Sequence, residues 1–188
     1  MGNKKILYIL IAVMAVAVFI TFILVLKNIG KTGSVSKSSV VTFWGVYDDH
    51  NAFDQVIKDF PAKFRGETPK GLPHSAWHLL EHMRISQGDI LDFSRNPKYK
   101  GLKWPAEYWP KNPVPANAVE WEKSILAFQE DLGAMKKLVT DPKTDLFAKL
   151  PWGEGQTVLR EAMLLADHNS HHLAQIIDVR RLLGVWKQ

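Results

Sequence analysis

Residues 153–186 read GEGQTVLREAMLLADHNSHHLAQIIDVRRLLGVW. Apolar side chains recur along one side of this stretch, at Leu159, Met163, Ala166, Ile176 and Leu183, as in an amphipathic helix. Thr157 is placed to cap the first turn and Gly184 to end the last. The pattern predicts a helix from about Thr157 to Leu183. Three of the chain's 7 histidines fall inside it, at His168, His171 and His172. His168 and His172 are four apart, so on a helix they differ by about 40° and lie one turn from each other. Two imidazoles at that spacing can close on one metal ion. His171 stands about 60° round from His168 and is expected to pack against a neighbouring helix or to line the same pocket.

Working outward, three further helical patterns precede this one. The nearest starts at Asn117, with Glu120 three residues on in a capping-box arrangement, and carries Trp121, Ile125, Phe128, Leu132 and Met135 to about Leu138. Another starts at Ser75, just after Pro73, and runs to about Phe93 with Leu79, His82, Met83, Ser86 and Ile90 on its inner stripe. The earliest starts at Asp48 or Asp49 and places Phe53, Val56, Ile57, Phe60 and Phe64 on one face, with Pro61 expected to kink or end it. No stretch alternates as a strand would. The segment 94–116, SRNPKYKGLKWPAEYWPKNPVPA, holds five prolines and four aromatics and is too long for a tight turn. It fits a long helix 2–3 crossover connection in an all-α four-helix bundle, its aromatics folding over the bundle end in a packing role.

The second helix brings its own histidines, His74, His78 and His82, at successive steps of four. His82 lies on the core-facing stripe and can supply a third imidazole to the His168/His172 pair. His78 is one turn away and can line the same cavity, whereas His74 falls in the cap region. Three neutral imidazoles suit a divalent ion, zinc or nickel first, with iron, copper and manganese also open. Three protein ligands leave a coordination position free, as in catalytic rather than structural sites. The plainer readings are a chance HxxxH pair and a core histidine satisfied by hydrogen bonds. Among carboxylates, Glu161 precedes His168 by seven residues and so points to nearly the same side, as a general base or a group behind the ligands. Glu81 and Asp167 each neighbour a ligand in sequence. A salt bridge is the competing role for all three, and Glu161 can simply pair with an arginine.

Residues 6–26, ILYILIAVMAVAVFITFILVL, are 21 consecutive uncharged residues, long enough to span a bilayer core. They are long for the apolar part of a signal peptide, and no small-residue cleavage site follows them, so an uncleaved anchor is expected, with a cleaved signal peptide as the competing reading. The organisation expected is a tail at 1–5, a transmembrane signal anchor at 6–26, a Ser-, Gly- and Lys-rich tether at 27–40 and the bundle domain at 41–188. Lysines flank both ends of the apolar run, so orientation rests on the short tail staying inside, which puts the domain on the extracytoplasmic face of the cell membrane. The formal charge of +5 comes from five lysines within residues 1–40, which leaves 19 basic against 19 acidic residues beyond. No basic patch interleaved with aromatics exists to follow a phosphate backbone, so nucleic acid is not an expected partner. The expected partners are the membrane and a small-molecule substrate or thiol, and a homodimer is compatible with the pattern. The chain has no cysteine, so it can offer a metal no thiolate of its own.

Three stretches, GLPHSAWHLLEHMRISQGDILDFSRNP, WPAEYWP and the 153–186 segment, together resemble the DinB-like superfamily of four-helix-bundle proteins, in the same order along residues 41–188. Members have one metal-ligand histidine on the second helix and an HxxxH pair on the fourth. The resemblance implies that His82, in LLEHMR, and His168 and His172, in DHNSHH, are metal ligands. It does not extend to His78 or His171. It also implies a thiol transferase acting on a small molecule, since some members transfer mycothiol, bacillithiol or glutathione, while a metal-dependent hydrolase is expected from what three imidazoles and a metal do to bound water. The membrane anchor departs from the common soluble pattern. A non-catalytic metal- or ligand-binding sensor or scaffold at the membrane is the alternative.

Overall fold

The computed structural model describes residues 49–186. The tail, anchor and tether expected at 1–5, 6–26 and 27–40 lie outside those residues. Among the described residues no helix is long and apolar enough to cross a membrane.

Among the described residues four α-helices form the domain: α1 (Asp49–Ile57), α2 (Ala76–Arg95), α3 (Ala118–Thr140) and α4 (Val158–Leu182), with a single 3-10 turn at Ala62–Phe64. Among the described residues β pairing is limited to an isolated bridge between Lys149 and Thr157. Three helices begin on side-chain caps that supply acceptors for otherwise orphaned N–H groups. Ser75 Oγ accepts from the His78 N–H at 3.2 Å, Asn117 Oδ1 from Glu120 at 2.9 Å and Thr157 Oγ1 from Arg160 at 3.1 Å. The Glu120 carboxylate reaches back to the Ala116 N–H, one residue earlier than a standard capping box requires. α4 ends as its glycine demands. Gly184 takes φ +70°, its N–H meets the Arg181 carbonyl, and the Val185 N–H meets Arg180, which is a Schellman stop.

α1 ends differently from the expectation. Its last helical residue is Ile57, and the chain turns out at Asp59, which adopts a left-handed φ of 54°. Pro61, with φ −63°, instead opens the 3-10 turn. Asp tolerates the left-handed region better than most residues, so the helix stops before the proline can act. Phe53, Val56 and Ile57 are buried on α1 as expected; Phe60, beyond its end, is buried too, whereas Phe64 falls in the 3-10 turn and is half-buried.

The direction of each helix follows from which residues meet. Trp77 lies against Trp121 and Gln87 donates to the Phe128 carbonyl, so α2 and α3 run parallel. Leu79 shares a small cavity with Gln175 and Val179, His82 meets His168, and the Trp152 indole donates to the Phe93 carbonyl, so α4 runs antiparallel to α2. Phe53 stacks on Phe128 at 4.1 Å and Phe60 meets Trp121, so α1 opposes α3. Parallel neighbours explain the length of the 94–116 connection, which must return along all of α2, about 30 Å for a twenty-residue helix. Its aromatics do not merely cover a bundle end. Tyr99 and Tyr108 bond Asp89, Trp109 stacks on His82, and the Asn112 carbonyl takes the Trp77 indole N–H, so the segment lies lengthwise on α2.

The core is aromatic at the α1–α2–α3 junction, where Phe53, Trp77, Trp121 and Phe128 are fully buried. On α4 the buried stripe is Val158, Ala162, Leu165, Asn169, Leu173, Ile176 and Val179. Met163, expected on that stripe, is 54% exposed. Arg180 ties α4 to the end of α1: its guanidinium is buried and donates to the carbonyls of Val56, Lys58 and Val185. Replacing Arg180 by Met leaves those carbonyls without their donor and is expected to cost about 3 kcal/mol. Urea unfolding checks this, and a loss below about 1 kcal/mol would show that the contacts carry no net stability.

Candidate metal centre

His82 projects from the middle of α2, and His168 and His172 project from successive turns of α4, so the antiparallel packing of these helices brings the three rings together. Each offers one nitrogen, and the three nitrogens lie within 4.8 Å of one another. The ring centroids are 4.5–4.9 Å apart. His82 Nε2 and His168 Nε2 face each other at 3.1 Å. Nitrogens held about 2.0–2.1 Å from a tetrahedral zinc ion stand about 3.3 Å apart, so this spacing fits one shared ion.

The groups behind the rings decide which nitrogen carries the proton. His82 Nδ1 lies 2.8 Å from the Tyr108 carbonyl. A carbonyl can only accept, so Nδ1 donates and Nε2 keeps its lone pair toward the other imidazoles. His172 Nδ1 meets Gln175 Oε1 at 2.7 Å, which leaves its Nε2 free in the same way. Ligand histidines ordinarily donate the second ring N–H to a carbonyl or carboxylate, and two of the three rings here do so. The indole of Trp109 lies flat on His82, at 4.0 Å and 4°, and also stacks with His74 at 4.2 Å. The donor set and its backing therefore fit a divalent ion.

Burial and mutual repulsion keep the rings neutral. The pKa of His168 is pushed down to about 4, by burial first and then by the His172 and His82 rings. Burial also pushes His172 down to about 4, against the hydrogen bond to Gln175. His82 is lowered by burial and partly restored by the Tyr108 carbonyl. Neutral imidazole is the ligating form.

All three histidines line a cavity of about 620 Å³. Its walls carry Ile90, Phe93, Tyr99, Trp104, Tyr108, Trp109 and Leu164, and Trp104 is 70% exposed. Glu161 also lines the cavity; it is buried and pairs with the Arg160 guanidinium. Asp89 accepts the hydroxyls of Tyr99 at 2.9 Å and Tyr108 at 2.6 Å, and this burial and bonding raise the Tyr108 pKa to about 12. His171 is exposed, lines the cavity and meets the His172 ring edge-on at 4.9 Å. His78 stands elsewhere, its Nδ1 3.0 Å from Ser75 Oγ, and is not among the lining residues. Glu81 forms a two-point bridge to Arg84, at 2.8 Å for each bond, and Asp167 is exposed.

Sequence reasoning missed Trp109, the Tyr108 carbonyl, Asp89 and Gln175. Gln175 had a signal, since an amide three residues beyond a helical histidine lies on the same face. The Tyr108 carbonyl had none, because every residue has one.

Fold and site together define a class: a parallel-crossover helical bundle with three histidines positioned to bind a metal ion. Residues 47–176 match the family model of the DinB superfamily, and the chain belongs to that superfamily. No curated protein and no solved structure matches the chain.

Proposed function

We propose that the domain is a metal-dependent enzyme acting on a small molecule, by hydrolysis or by thiol transfer, with a divalent zinc or nickel ion held by His82, His168 and His172. The observation that carries this reading is that the triad lines a large aromatic cavity instead of being sealed within the bundle. When bound, the ion supplies Lewis acidity towards water, a thiol or a substrate oxygen. The aromatic walls bind the apolar body of the substrate and exclude water from it. Tyr108 and Gln175 hold the rings of His82 and His172 in the ligating tautomer. Glu161, oriented by Arg160, is the carboxylate we assign to proton transfer, and His171 takes polar substrate groups at the exposed side of the cavity.

A second reading is a metal- or ligand-binding module without turnover. It is favoured by the two lining carboxylates being engaged already, Asp89 by two tyrosines and Glu161 by Arg160. The two readings separate in one experiment. The cobalt-substituted full-length protein, in detergent, is titrated with azide and with 2-mercaptoethanol and then screened for turnover of esters, amides and thiol acceptors. Exchange at the metal is expected, with a changed visible spectrum that is lost in His82→Ala and His172→Ala. Turnover that falls about 100-fold or more in Glu161→Gln, with metal retained, supports the enzyme. Exchange without turnover leaves the binding module, and a spectrum insensitive to every ligand contradicts both.

The proposal includes a single-pass anchor at residues 6–26, supported by the 21 uncharged residues, and places the domain outside the cytoplasm because so short a preceding tail ordinarily stays inside. The full-length chain is then expected to stay with membranes through alkaline carbonate washing. Release into the wash, or an N-terminus mapped beyond residue 26, contradicts the anchor.

A further inference from the structure

Two of the three triad rings have an acceptor for the nitrogen that faces away from the site, and the third does not. His168 Nδ1 is buried and meets no partner. Beside it in sequence, Asn169 is fully buried, and its Oδ1 also meets no partner. Orphaned buried polar atoms are rare, and each calls for a reason. Here a donor-capable ring nitrogen and an acceptor oxygen are orphaned on consecutive residues of one helix.

The direction of the Asn169 amide is set by a chain of hydrogen bonds that begins on another helix. The Phe128 carbonyl of α3 can only accept, so it takes the Gln87 amide N–H, at 2.6 Å. Gln87 must then turn its Oε1 the other way, where it accepts from Asn169 Nδ2 at 2.8 Å. Asn169 in turn must hold its own oxygen away from Gln87. A backbone carbonyl on α3 thus dictates, through two buried amides, that the free end of Asn169 is an acceptor. An acceptor is what His168 Nδ1 needs once its Nε2 is committed to a ligand.

We propose that Asn169 is the positioning residue for His168: its Oδ1 accepts the Nδ1–H when Nε2 is ligated, and so fixes the ligating tautomer of the third imidazole. This rests on the metal-centre reading given above. The two atoms do not meet in bonding geometry, but they belong to adjacent residues of α4 and both are buried without a partner. Burial, then the His172 and His82 rings, lower the His168 pKa, and the neighbouring Asn169 side chain acts against them. The proposal requires that a rotation of the ring or a bridging water close the bond when the ion binds. The three rings are then backed alike, by the Tyr108 carbonyl, the Gln175 amide and the Asn169 amide.

The test uses the full-length chain in detergent, zinc alone as probe, and the variants Asn169→Leu and Asn169→Asp. Zinc affinity is measured by chelator competition, the fold of each zinc-free variant by circular dichroism, and histidine tautomers by nitrogen-15 magnetic resonance. Asn169→Leu is expected to weaken zinc binding by about 10- to 100-fold, the usual effect of removing an outer-shell partner. Asn169→Asp, which still accepts from Nδ1–H, is expected to restore most of that affinity. In the zinc-loaded wild type the His168 proton is expected on Nδ1, protected from exchange, and the protection is lost in Asn169→Leu. Unchanged zinc affinity in Asn169→Leu, equal losses in both folded variants, or a wild-type His168 that carries its proton on Nε2 overturns the proposal. Should Asn169→Leu fail to fold, the wild-type tautomer and the affinity of Asn169→Asp decide it. A wild type that binds no zinc removes the metal centre itself, and this role with it.

Discussion

Alanine in place of His82, His168 or His172 is expected to lower zinc or nickel affinity by at least about 100-fold in each case, because each removes one of the three proposed protein ligands. The chain has no cysteine to substitute. The carboxylates that line the cavity are bonded elsewhere, Glu161 to Arg160 and Asp89 to Tyr99 and Tyr108. His171 lines the cavity but is exposed and makes a T-shaped contact with the His172 ring. Alanine at His50, on α1, is expected to leave affinity unchanged. Chelator competition on the four variants measures this. Wild-type affinity in any of the three triad variants would mean that the ion sits elsewhere.

The second large effect is that of pH. Protonated imidazole cannot ligate, and in the folded domain His168 and His172 take up protons only near pH 4, against 6.5 for an ordinary histidine. Metal affinity is therefore expected to hold well below pH 6.5 and then to fall steeply near pH 4, by about 100-fold per unit once two ligands titrate together. The metal-free domain responds over a different range. Because the folded pKa values are depressed, the unfolded state binds more protons at any pH between the two values. The contribution of the two rings to stability is thus fully present above pH 6.5 and is lost as pH falls from 6.5 towards 4. His82, shifted in the same direction, adds to the loss. Thermal unfolding of the metal-free protein between pH 7 and pH 4.5 checks the sign. A domain that grows more stable on acidification would show that the rings are charged in the native state.

The helices and their starts were legible because each start is a local event. Ser75, Asn117 and Thr157 cap their own next turn, and no distant contact is needed to see it. The end of α1 was misplaced because Pro61 is the stronger signal, whereas the residue that turns the chain, Asp59, carries a weaker one. Met163 was misassigned because polar residues, Glu161, His168 and Asn169, occupy the inner side of α4. Ala166 and Ile176 are buried as the apolar count expects, but that count misplaces Met163 where a site replaces part of the core. The triad was legible through the HxxxH spacing, through His82 on the inner stripe of α2, and through the family resemblance. The groups behind it were not. The Tyr108 carbonyl and the Trp109 indole reach His82 from a proline-rich segment without periodicity, and their placement depends on the parallel packing of α2 and α3. Asp89, seven residues from His82 on α2, holds that segment through two tyrosines, a contact that exists only once the connection has folded back.

The most direct test of the three-histidine centre is the metal content and X-ray absorption spectrum of the purified full-length protein. One divalent ion per chain is predicted, with three imidazole nitrogens at about 2.0–2.1 Å for zinc and the remaining positions filled by exchangeable oxygen ligands. A chain that holds no metal, or an ion with fewer than three imidazoles or a fourth ligand from the protein, would contradict the account.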